Sequence, residues 1–337
     1  MMMDKEAAYY QRVGDKVQCL LCPHKCTLSN GQLGICQVRY AQDKVLYTQV
    51  YNRLAAVHMD PIEKKPLYHF FPGSLVLSVG TVGCNMQCAF CQNWEISQYG
   101  GDDAYGAMFE VSAKALAERA LQSDCLGVAY TYNEPTIFYE FMLDIAKEVK
   151  SAGLKNVMVT NGYINPEPLA NLIPYIDAFS VDMKGFTQEF YQHETKASLQ
   201  PVLESIKQIH GAQKHLELVN LIVPNQNDDE QAFVEMMKWI KSHLGKRTVL
   251  HLSRYFPAFQ MEDNPTPQKV MHHFSDVARQ YLDYVYLGNM RESADTLCPV
   301  CGTLILSRNA YQVRAHDISP AGRCEKCNEL IIQNYIP

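Results

Sequence analysis

The sequence lacks a large excess of charge of one sign, and it lacks a long hydrophobic run. Its 337 residues carry a formal net charge of −6, and the lysines and arginines are scattered rather than concentrated in one stretch. This pattern does not predict electrostatic binding to nucleic acid or to anionic lipid. The first residues have no apolar core of a signal peptide, and no stretch is long enough to span a bilayer. We therefore expect a cytoplasmic protein with neither nucleic acid nor a membrane as partner.

Cysteine, in contrast, is abundant. The 12 cysteines form three groups, with Cys125 left alone. In a reducing cytosol, cysteines clustered at C-x2-C spacing favour metal binding over disulfides. Cys125 is most simply a small buried hydrophobic residue. Internal repeats and low-complexity tracts are not visible, so repeat architectures are not expected.

The central group consists of Cys84, Cys88 and Cys91, spaced C-x3-C-x2-C after an apolar run at residues 75–80. Thiolates suit zinc and iron–sulfur clusters. A closed zinc site needs four ligands, and a conventionally held [4Fe–4S] cube takes four cysteines. Three cysteines without a nearby fourth predict a cube with one iron open to a substrate or cofactor. A zinc knuckle, or three unrelated core thiols, is the alternative.

The N-terminal quartet consists of four cysteines with the pattern C-x2-C-x3-C-x9-C: Cys19, Cys22, Cys26 and Cys36. Four thiolates can close a tetrahedral zinc site or hold an auxiliary iron–sulfur cluster. We prefer zinc by a small margin. So short a segment cannot build a hydrophobic core of its own, so a bound metal is the expected source of its stability.

The C-terminal quartet has the pattern C-x2-C-x22-C-x2-C and consists of Cys298, Cys301, Cys324 and Cys327. Two C-x2-C knuckles that supply four thiolates are typical of a zinc ribbon. A rubredoxin-like iron centre has similar spacing and stays open as an alternative.

Between the quartets, short apolar runs alternate with amphipathic stretches. The predicted strands cover residues 75–80, 127–132, 156–160, 178–182, 216–223, 249–253 and 284–288. Each run is short, mostly apolar and rich in β-branched or aromatic residues, as expected when both faces of a parallel sheet are covered. Strand–helix alternation repeated about six times predicts an α/β fold with an open parallel barrel. We divide the chain into a metal-binding segment (1–59), a barrel (60–290) and a metal-binding tail (291–337).

In such barrels the chemistry lies at the carboxyl ends of the strands. Polar residues follow six of the predicted strands, among them Asn133, Glu134, Asn161, Asp182, Lys184 and His251. The polar groups would therefore surround one mouth of the barrel.

The C-x3-C-x2-C motif, with Phe90 before the third cysteine, resembles the signature of the radical S-adenosylmethionine (SAM) enzymes. From about residue 60 to 288, the sequence is similar to the glycyl-radical-enzyme activases, typified by pyruvate formate-lyase activating enzyme. The resemblance implies a partial (β/α)6-type barrel and a [4Fe–4S] cluster whose open iron chelates SAM. It also implies reductive cleavage of SAM to methionine and a 5′-deoxyadenosyl radical. An electron donor such as flavodoxin or ferredoxin would supply the electron.

The same resemblance suggests the SAM contacts. Asn133-Glu134-Pro135 stands where the activases carry Gly-Gly-Glu-Pro, and there the acid receives the SAM amino group. Tyr132 and Asn133 replace the two glycines, so the freedom of a glycine backbone is not carried over.

Further contacts follow from the later strands. Asn161 would contact the ribose, Lys184 of Asp182-x-Lys184 the SAM carboxylate, and His251 the adenosyl or methionyl part. The candidates for substrate contact are Trp94, Glu95, Arg254 and Tyr255.

Over nearly the whole chain, the sequence resembles the AmmeMemoRadiSam-system radical SAM proteins, on residues 19–26, 91–97, 130–136 and the cysteine-paired tail. We expect an activating-enzyme-like radical SAM oxidoreductase (EC 1.97.1.-) that abstracts hydrogen from a substrate, with a protein glycine as one candidate. Modification of a small molecule or peptide is the alternative within this chemistry. A metal-rich interaction module or an electron-transfer protein is the alternative of another class.

Overall fold

The computed structural model describes residues 4–98 and 108–335, and one sheet lies at its centre. In these ranges the sheet has eight strands, which in spatial order are Tyr284–Gly288, Val249–Arg254, His215–Ile222, Ala178–Asp182, Lys155–Thr160, Gly127–Tyr130, Leu75–Gly80 and Ala56–Pro61. Neighbouring strands run parallel, except that Ala56–Pro61 is antiparallel to Leu75–Gly80. The two edge strands do not pair with each other, so the predicted open barrel is confirmed.

All seven predicted strands are present. The second ends at Tyr130 rather than at residue 132, because the chain turns there with Tyr132 at a φ of 73°. The eighth strand, Ala56–Pro61, was not predicted. It lies at the edge of the sheet, the position where a strand tolerates a proline such as Pro61.

Helices cover the sheet. The longer ones are Ala113–Gln122, Tyr139–Ser151, Pro166–Leu172, Leu199–Gly211, Glu230–Leu244 and Gln268–Arg279, and the shorter are Trp94–Ser97 and Gln188–Phe190. A π-helical turn covers Tyr191–Thr195, and 3-10 turns cover Ile62–Lys64, Pro135–Phe138 and Ile173–Tyr175. No helix in the described ranges is long and apolar enough to cross a membrane.

The N-terminal segment forms small antiparallel sheets. Their strands are Lys5–Glu6, Tyr10–Val13, Lys16–Cys19, Thr27–Leu28, Arg39–Gln42 and Val45–Thr48, while Arg53–Leu54 pairs with Phe109–Glu110. Val17, Leu28 and Leu46 belong to the same buried cluster as the barrel. The segment thus shares the core of the barrel, which contributes to its stability besides any bound metal. The boundary drawn at residue 59 lies inside an unbroken strand of the main sheet.

The tail contains the strands Thr296–Leu297, Leu304–Asn309 and Gln312–Ala315. It packs on Val249 and Tyr284, the first residues of two barrel strands, together with Tyr68. The tail therefore covers the amino ends of the strands, opposite the end where the chemistry is expected.

Candidate active site

A cavity of about 300 Å³ lies at the carboxyl ends of the parallel strands. Its lining includes Cys84, Cys88, Cys91, Asn133, Glu134, Thr160, Asn161, Asp182 and Lys184. The cavity is at the lower end of the size range of small-molecule sites, roughly 300–1,000 Å³. The fold thus brings the three central cysteines together with five of the six residues predicted to contact SAM.

Asn133 holds the loop that carries the three cysteines. Its amide donates to the carbonyl of Gly83 over 2.8 Å, and its oxygen accepts from the Thr81 amide at 3.2 Å. Gly83 itself has a φ of 88°, and an added Cβ would collide with the carbonyl oxygen of Cys36. Asn133 therefore positions Cys84 through the backbone, a role that the Gly-Gly-Glu-Pro comparison did not suggest.

Glu134 is the most firmly held carboxylate of the cavity. Its Oε1 accepts from the Thr136 amide (2.9 Å), the Thr136 hydroxyl (2.6 Å) and the Thr160 hydroxyl (2.7 Å). Its Oε2 accepts from the amide of Asn161 at 2.8 Å. Burial raises the pKa of Glu134, and these four donors oppose the rise. The two threonines were not among the predicted site residues, although Thr136 and Thr160 stand in the very segments that the sequence highlights.

Asp182 and Lys184 form an ion pair that also lines the cavity, with Nζ and Oδ2 2.7 Å apart. Burial acts to lower the pKa of Lys184, but the charges of Asp182 and Cys88 outweigh it and raise the pKa above its ordinary value. Lys184 therefore stays an ammonium ion beside Cys88. Such a group suits a carboxylate ligand or the thiolates of a cluster.

Both the nitrogen and the oxygen of the Asn161 side-chain amide form hydrogen bonds. Its Nδ2 donates to the side-chain oxygen of Asn85 at 2.9 Å and lies 3.9 Å from the sulfur of Cys84, while its Oδ1 accepts from the Tyr163 amide. Asn85 in turn donates to the carbonyl of Tyr163. Asn161 thus ties the strand end to the cysteine loop, besides lining the cavity.

The three central cysteines fit a cube better than a single ion. A tetrahedral zinc with Zn–S bonds of about 2.3 Å brings its sulfurs to about 3.8 Å from one another. In the described residues, these three do not form a group whose sulfurs all lie within 4.8 Å. In a cube each cysteine binds a different iron, so the sulfurs stand farther apart. No fourth cysteine lines the cavity in the described part of the chain. Glu134 and Asp182 are engaged by other donors, so a cube held by the three cysteines would keep one corner without a ligand from either carboxylate.

Tyr132 takes the left-handed conformation that a glycine would adopt at this position, with a φ of 73°. Its hydroxyl donates to Oδ2 of Asp60 at 2.6 Å, and Lys65 donates to the same oxygen at 2.7 Å. A left-handed non-glycine residue costs about 1–2 kcal/mol. A hydrogen bond to a charged group contributes about 1.5–3 kcal/mol, enough to offset that cost. Asp60 was not among the predicted site residues.

His251 does not line the cavity. Its Nε2 lies 2.7 Å from Oε2 of Glu217, near the amino ends of the strands, and both side chains are buried. Glu217 also accepts from His215 and from the backbone amides of Tyr68 and His69. The predicted contact of His251 with SAM therefore has no support in this arrangement.

The four candidate substrate contacts divide into two pairs. Tyr255 is fully buried, and its hydroxyl donates to the carbonyl of Met261. Arg254 donates through Nε to the carbonyl of Thr266 at 2.6 Å. Neither lines the cavity. Trp94 and Glu95 lie on an exposed helix directly after Asn93, which does line it, so only this pair stands at the rim.

The C-terminal quartet has the compactness of a single-ion site. Its four sulfurs all lie within 4.8 Å of one another, with Cys298 and Cys327 3.4 Å apart and Cys301 and Cys324 3.6 Å apart. These separations match the edges of a tetrahedron around one metal ion. Among the described residues it is the one group of three or more potential metal ligands this close together.

Comparison with known proteins supports the geometry. The sequence profile of the radical SAM superfamily matches residues 78–240. An uncharacterized protein of Methanocaldococcus jannaschii is 38% identical, over 97% of this chain and 98% of that protein. The (2S)-3-sulfopropanediol dehydratase activating enzyme of Klebsiella oxytoca is 24% identical, over 35% of this chain and 38% of its own length.

Among solved structures, a radical SAM methyltransferase from Sphaerobacter thermophilus aligns with a TM-score of 0.50 at 14% identity, over 70% of this chain and 71% of that one. At this identity the likeness concerns the fold alone. The fold, the three-cysteine cavity and the sequence profile agree: this chain belongs to the radical SAM superfamily.

Proposed function

We propose that this chain cleaves SAM reductively and uses the resulting radical to abstract hydrogen from a substrate. The observation that carries the proposal is a single cavity lined by three cysteines, without a fourth in the described residues, together with Glu134 and the Asp182–Lys184 pair. A bound cluster and SAM supply one-electron cleavage of the sulfonium to methionine and a 5′-deoxyadenosyl radical.

Glu134 is suited to receive the amino group of SAM. A carboxylate offers about four acceptor sites. Three donors occupy Oε1, whereas Oε2 has the amide of Asn161 as its donor among the described residues, so Oε2 keeps room for an ammonium group. Thr136 and Thr160 fix the orientation of the carboxylate. Because the donors are in place before SAM arrives, the site needs little reorganisation on binding.

Lys184 is suited to the SAM carboxylate. Its ammonium donates one hydrogen bond to Asp182 and has two further N–H groups. The raised pKa keeps the charge throughout the neutral range. Glu134 and Lys184 together would therefore bind the two ends of an amino-acid zwitterion, as the methionyl part of SAM requires.

For the substrate we propose a chemical class rather than a specific molecule. Relatives named as activating enzymes match only about a third of this chain, among them a putative glycyl-radical enzyme activating enzyme of Haemophilus influenzae at 28% identity over 36% of the chain. They favour a protein substrate, which would be activated as a glycyl radical, and an external electron-donor protein. A small molecule or peptide remains the second candidate. Membership of the AmmeMemoRadiSam group and a cytoplasmic location stay predictions.

The test is anaerobic. Protein reconstituted with iron and sulfide is mixed with dithionite and SAM, and 5′-deoxyadenosine is measured by chromatography. We expect product from the native chain and none from Cys88→Ala. Lys184→Met should raise the SAM concentration needed for half-maximal cleavage by tenfold or more, since about 1.4 kcal/mol of binding corresponds to a factor of ten. Native protein with an intact cluster that forms no 5′-deoxyadenosine would refute the proposal.

A further inference from the structure

The N-terminal quartet lies directly against the loop of the three central cysteines. The carbonyl of Cys36 contacts Gly83, next to Cys84, so closely that no side chain would fit at Gly83. The ring Nε2 of His24 lies 2.7 Å from the carbonyl oxygen of Asn85. The quartet thus belongs to the carboxyl end of the barrel, beside the cavity, and is not a remote appendage.

The four cysteines of the quartet face one another across a space. They line one small cavity together with the apolar side chains of Leu21, Leu28, Ile35 and Ile137. Gly34 borders the same space, where an added Cβ would stand 3.8 Å from the sulfurs of both Cys26 and Cys36. The sulfurs thus surround a space instead of closing on one point.

The sulfur spacing argues against a single ion. In the described residues, no three of these four sulfurs form a group within 4.8 Å, whereas all four of the C-terminal quartet do. The three central cysteines, whose family binds a cube, likewise do not form a group within 4.8 Å. Within one molecule, the N-terminal quartet therefore resembles the cluster site and differs from the single-ion site.

The surroundings also suit an anionic cluster. Arg39 is 1% exposed, and its guanidinium donates to the sulfur of Cys19 at 3.5 Å and to the carboxylate of Glu140. A buried arginine beside a thiolate offsets the negative charge that cysteine ligands bring into an apolar site.

From this geometry we propose that Cys19, Cys22, Cys26 and Cys36 bind a second [4Fe–4S] cluster, fully ligated by cysteine, rather than zinc. With four protein ligands this cluster has no open corner, so it does not bind SAM. The preference for zinc drawn from the sequence pattern alone is thereby replaced. The inference does not depend on the proposed reaction, because it concerns a site outside the cavity.

Acid-labile sulfide decides the matter, because cubes contain sulfide and single ions do not. The full chain is reconstituted anaerobically with iron and sulfide, desalted, and analysed for iron, sulfide and zinc together with its Mössbauer spectrum. We expect about eight sulfides per native chain, since each cube carries about four. The variant C84A/C88A/C91A should keep about four sulfides and the Mössbauer doublet of a cube. Cys125→Ser is the control for loss of a cysteine and should match the native chain.

The contrary results are equally definite. A triple variant that folds but contains no sulfide, or a second zinc per native chain with only about four sulfides, would overturn the second cluster. The native count stands even if the triple variant does not fold. Because this variant lacks the catalytic cluster, its sulfide content is independent of SAM cleavage. A native chain with both clusters but without 5′-deoxyadenosine would therefore refute the proposed function and leave this inference intact.

Discussion

The N-terminal and C-terminal quartets each offer four cysteines, and they lie at opposite ends of one barrel. The first adjoins the loop of Cys84 at the carboxyl ends of the strands, shares the barrel core and surrounds a cavity. The second belongs to a ribbon that packs on the amino ends, and its sulfurs nearly touch. Ligand number alone therefore does not determine the bound group. The distance between the sulfurs, which the surrounding fold sets, separates a cluster site from a single-ion site.

The largest expected effect comes from breaking the C-terminal quartet. Cys298→Ala with Cys324→Ala should remove the bound ion, whose binding supplies on the order of 10 kcal/mol in small structural sites. We expect the tail to become sensitive to protease while 5′-deoxyadenosine formation per catalytic cluster changes less than about twofold, since the tail lies at the far end of the barrel. Limited proteolysis and product analysis check both parts. Loss of the reaction with a protease-resistant tail would contradict the separation of the two ends.

The next effect concerns the buried charge beside the N-terminal quartet. Arg39→Met leaves the Glu140 carboxylate, 9% exposed, without its cation. Breaking a buried pair in this way costs about 3–5 kcal/mol of stability. Thermal unfolding measures the loss, and adding Glu140→Leu should restore part of it. Lys44→Met is the matched control, because Lys44 pairs with the nearly fully exposed Asp15 and its loss should have little effect on stability. Equal losses for the two single variants would rule out a special role of burial.

A smaller expected effect is a loss of stability at acid pH, which arises from buried groups near the amino ends of the strands. Burial lowers the pKa of His69 to about 3, and its ring bonds to the Tyr286 hydroxyl and to the carbonyl of Ile331 in the tail. Below a pKa of about 6.5 the unfolded chain takes up a proton that the folded chain refuses. Stability is therefore complete above that pH and falls as the pH drops toward 3, by about 2 kcal/mol between pH 7 and pH 5.

Glu217 acts in the same direction at lower pH. Burial would raise its pKa, but hydrogen bonds from His215 and His251 outweigh burial and lower it, so stability is lost as the pH falls below the ordinary range of a carboxyl group. Urea unfolding at pH 7 and pH 5 measures the slope. His69→Gln should flatten it, and an unchanged slope in this variant would show that His69 is not its source.

The smallest effect sharpens the contact between the N-terminal quartet and the central loop. His24→Ala removes the hydrogen bond to the Asn85 carbonyl, worth about 0.5–1.5 kcal/mol. We expect a slightly lower melting temperature with an unchanged sulfide content, because His24 is not a cluster ligand. A loss of half the sulfide in this variant would instead indicate that the ring binds iron.

The sequence predicts the barrel well because its parallel strands are buried on both faces, so most residues of each strand are apolar, as in Gly127–Tyr130. The edge strand Ala56–Pro61 has exposed residues and a proline, and no such run indicates it. Glu134, Asp182 and Lys184 stand at or shortly after the carboxyl ends of strands, which is why the sequence places them at the cavity that they line.

Other features depend on how deep a side chain lies in the barrel and on how far apart two side chains are. A sequence pattern gives neither quantity. His251 is the third residue of its strand, so it lies below the mouth and reaches Glu217 instead of the cavity. Tyr255 directly follows the same strand, but its side chain is buried and its hydroxyl donates to the carbonyl of Met261 in the next loop. The sulfur spacing of the two quartets likewise arises only once the flanking strands are assembled. Pattern alone therefore favoured zinc at both.

The most direct test of the account is anomalous X-ray scattering from crystals of the anaerobically reconstituted native chain, recorded at the iron and zinc edges. We predict iron clusters at Cys84–Cys88–Cys91 and at the N-terminal quartet, with no fourth protein ligand at the former, and a single ion at the C-terminal quartet. A lone zinc ion at the central cysteines, or a protein side chain on every iron there, would contradict the account.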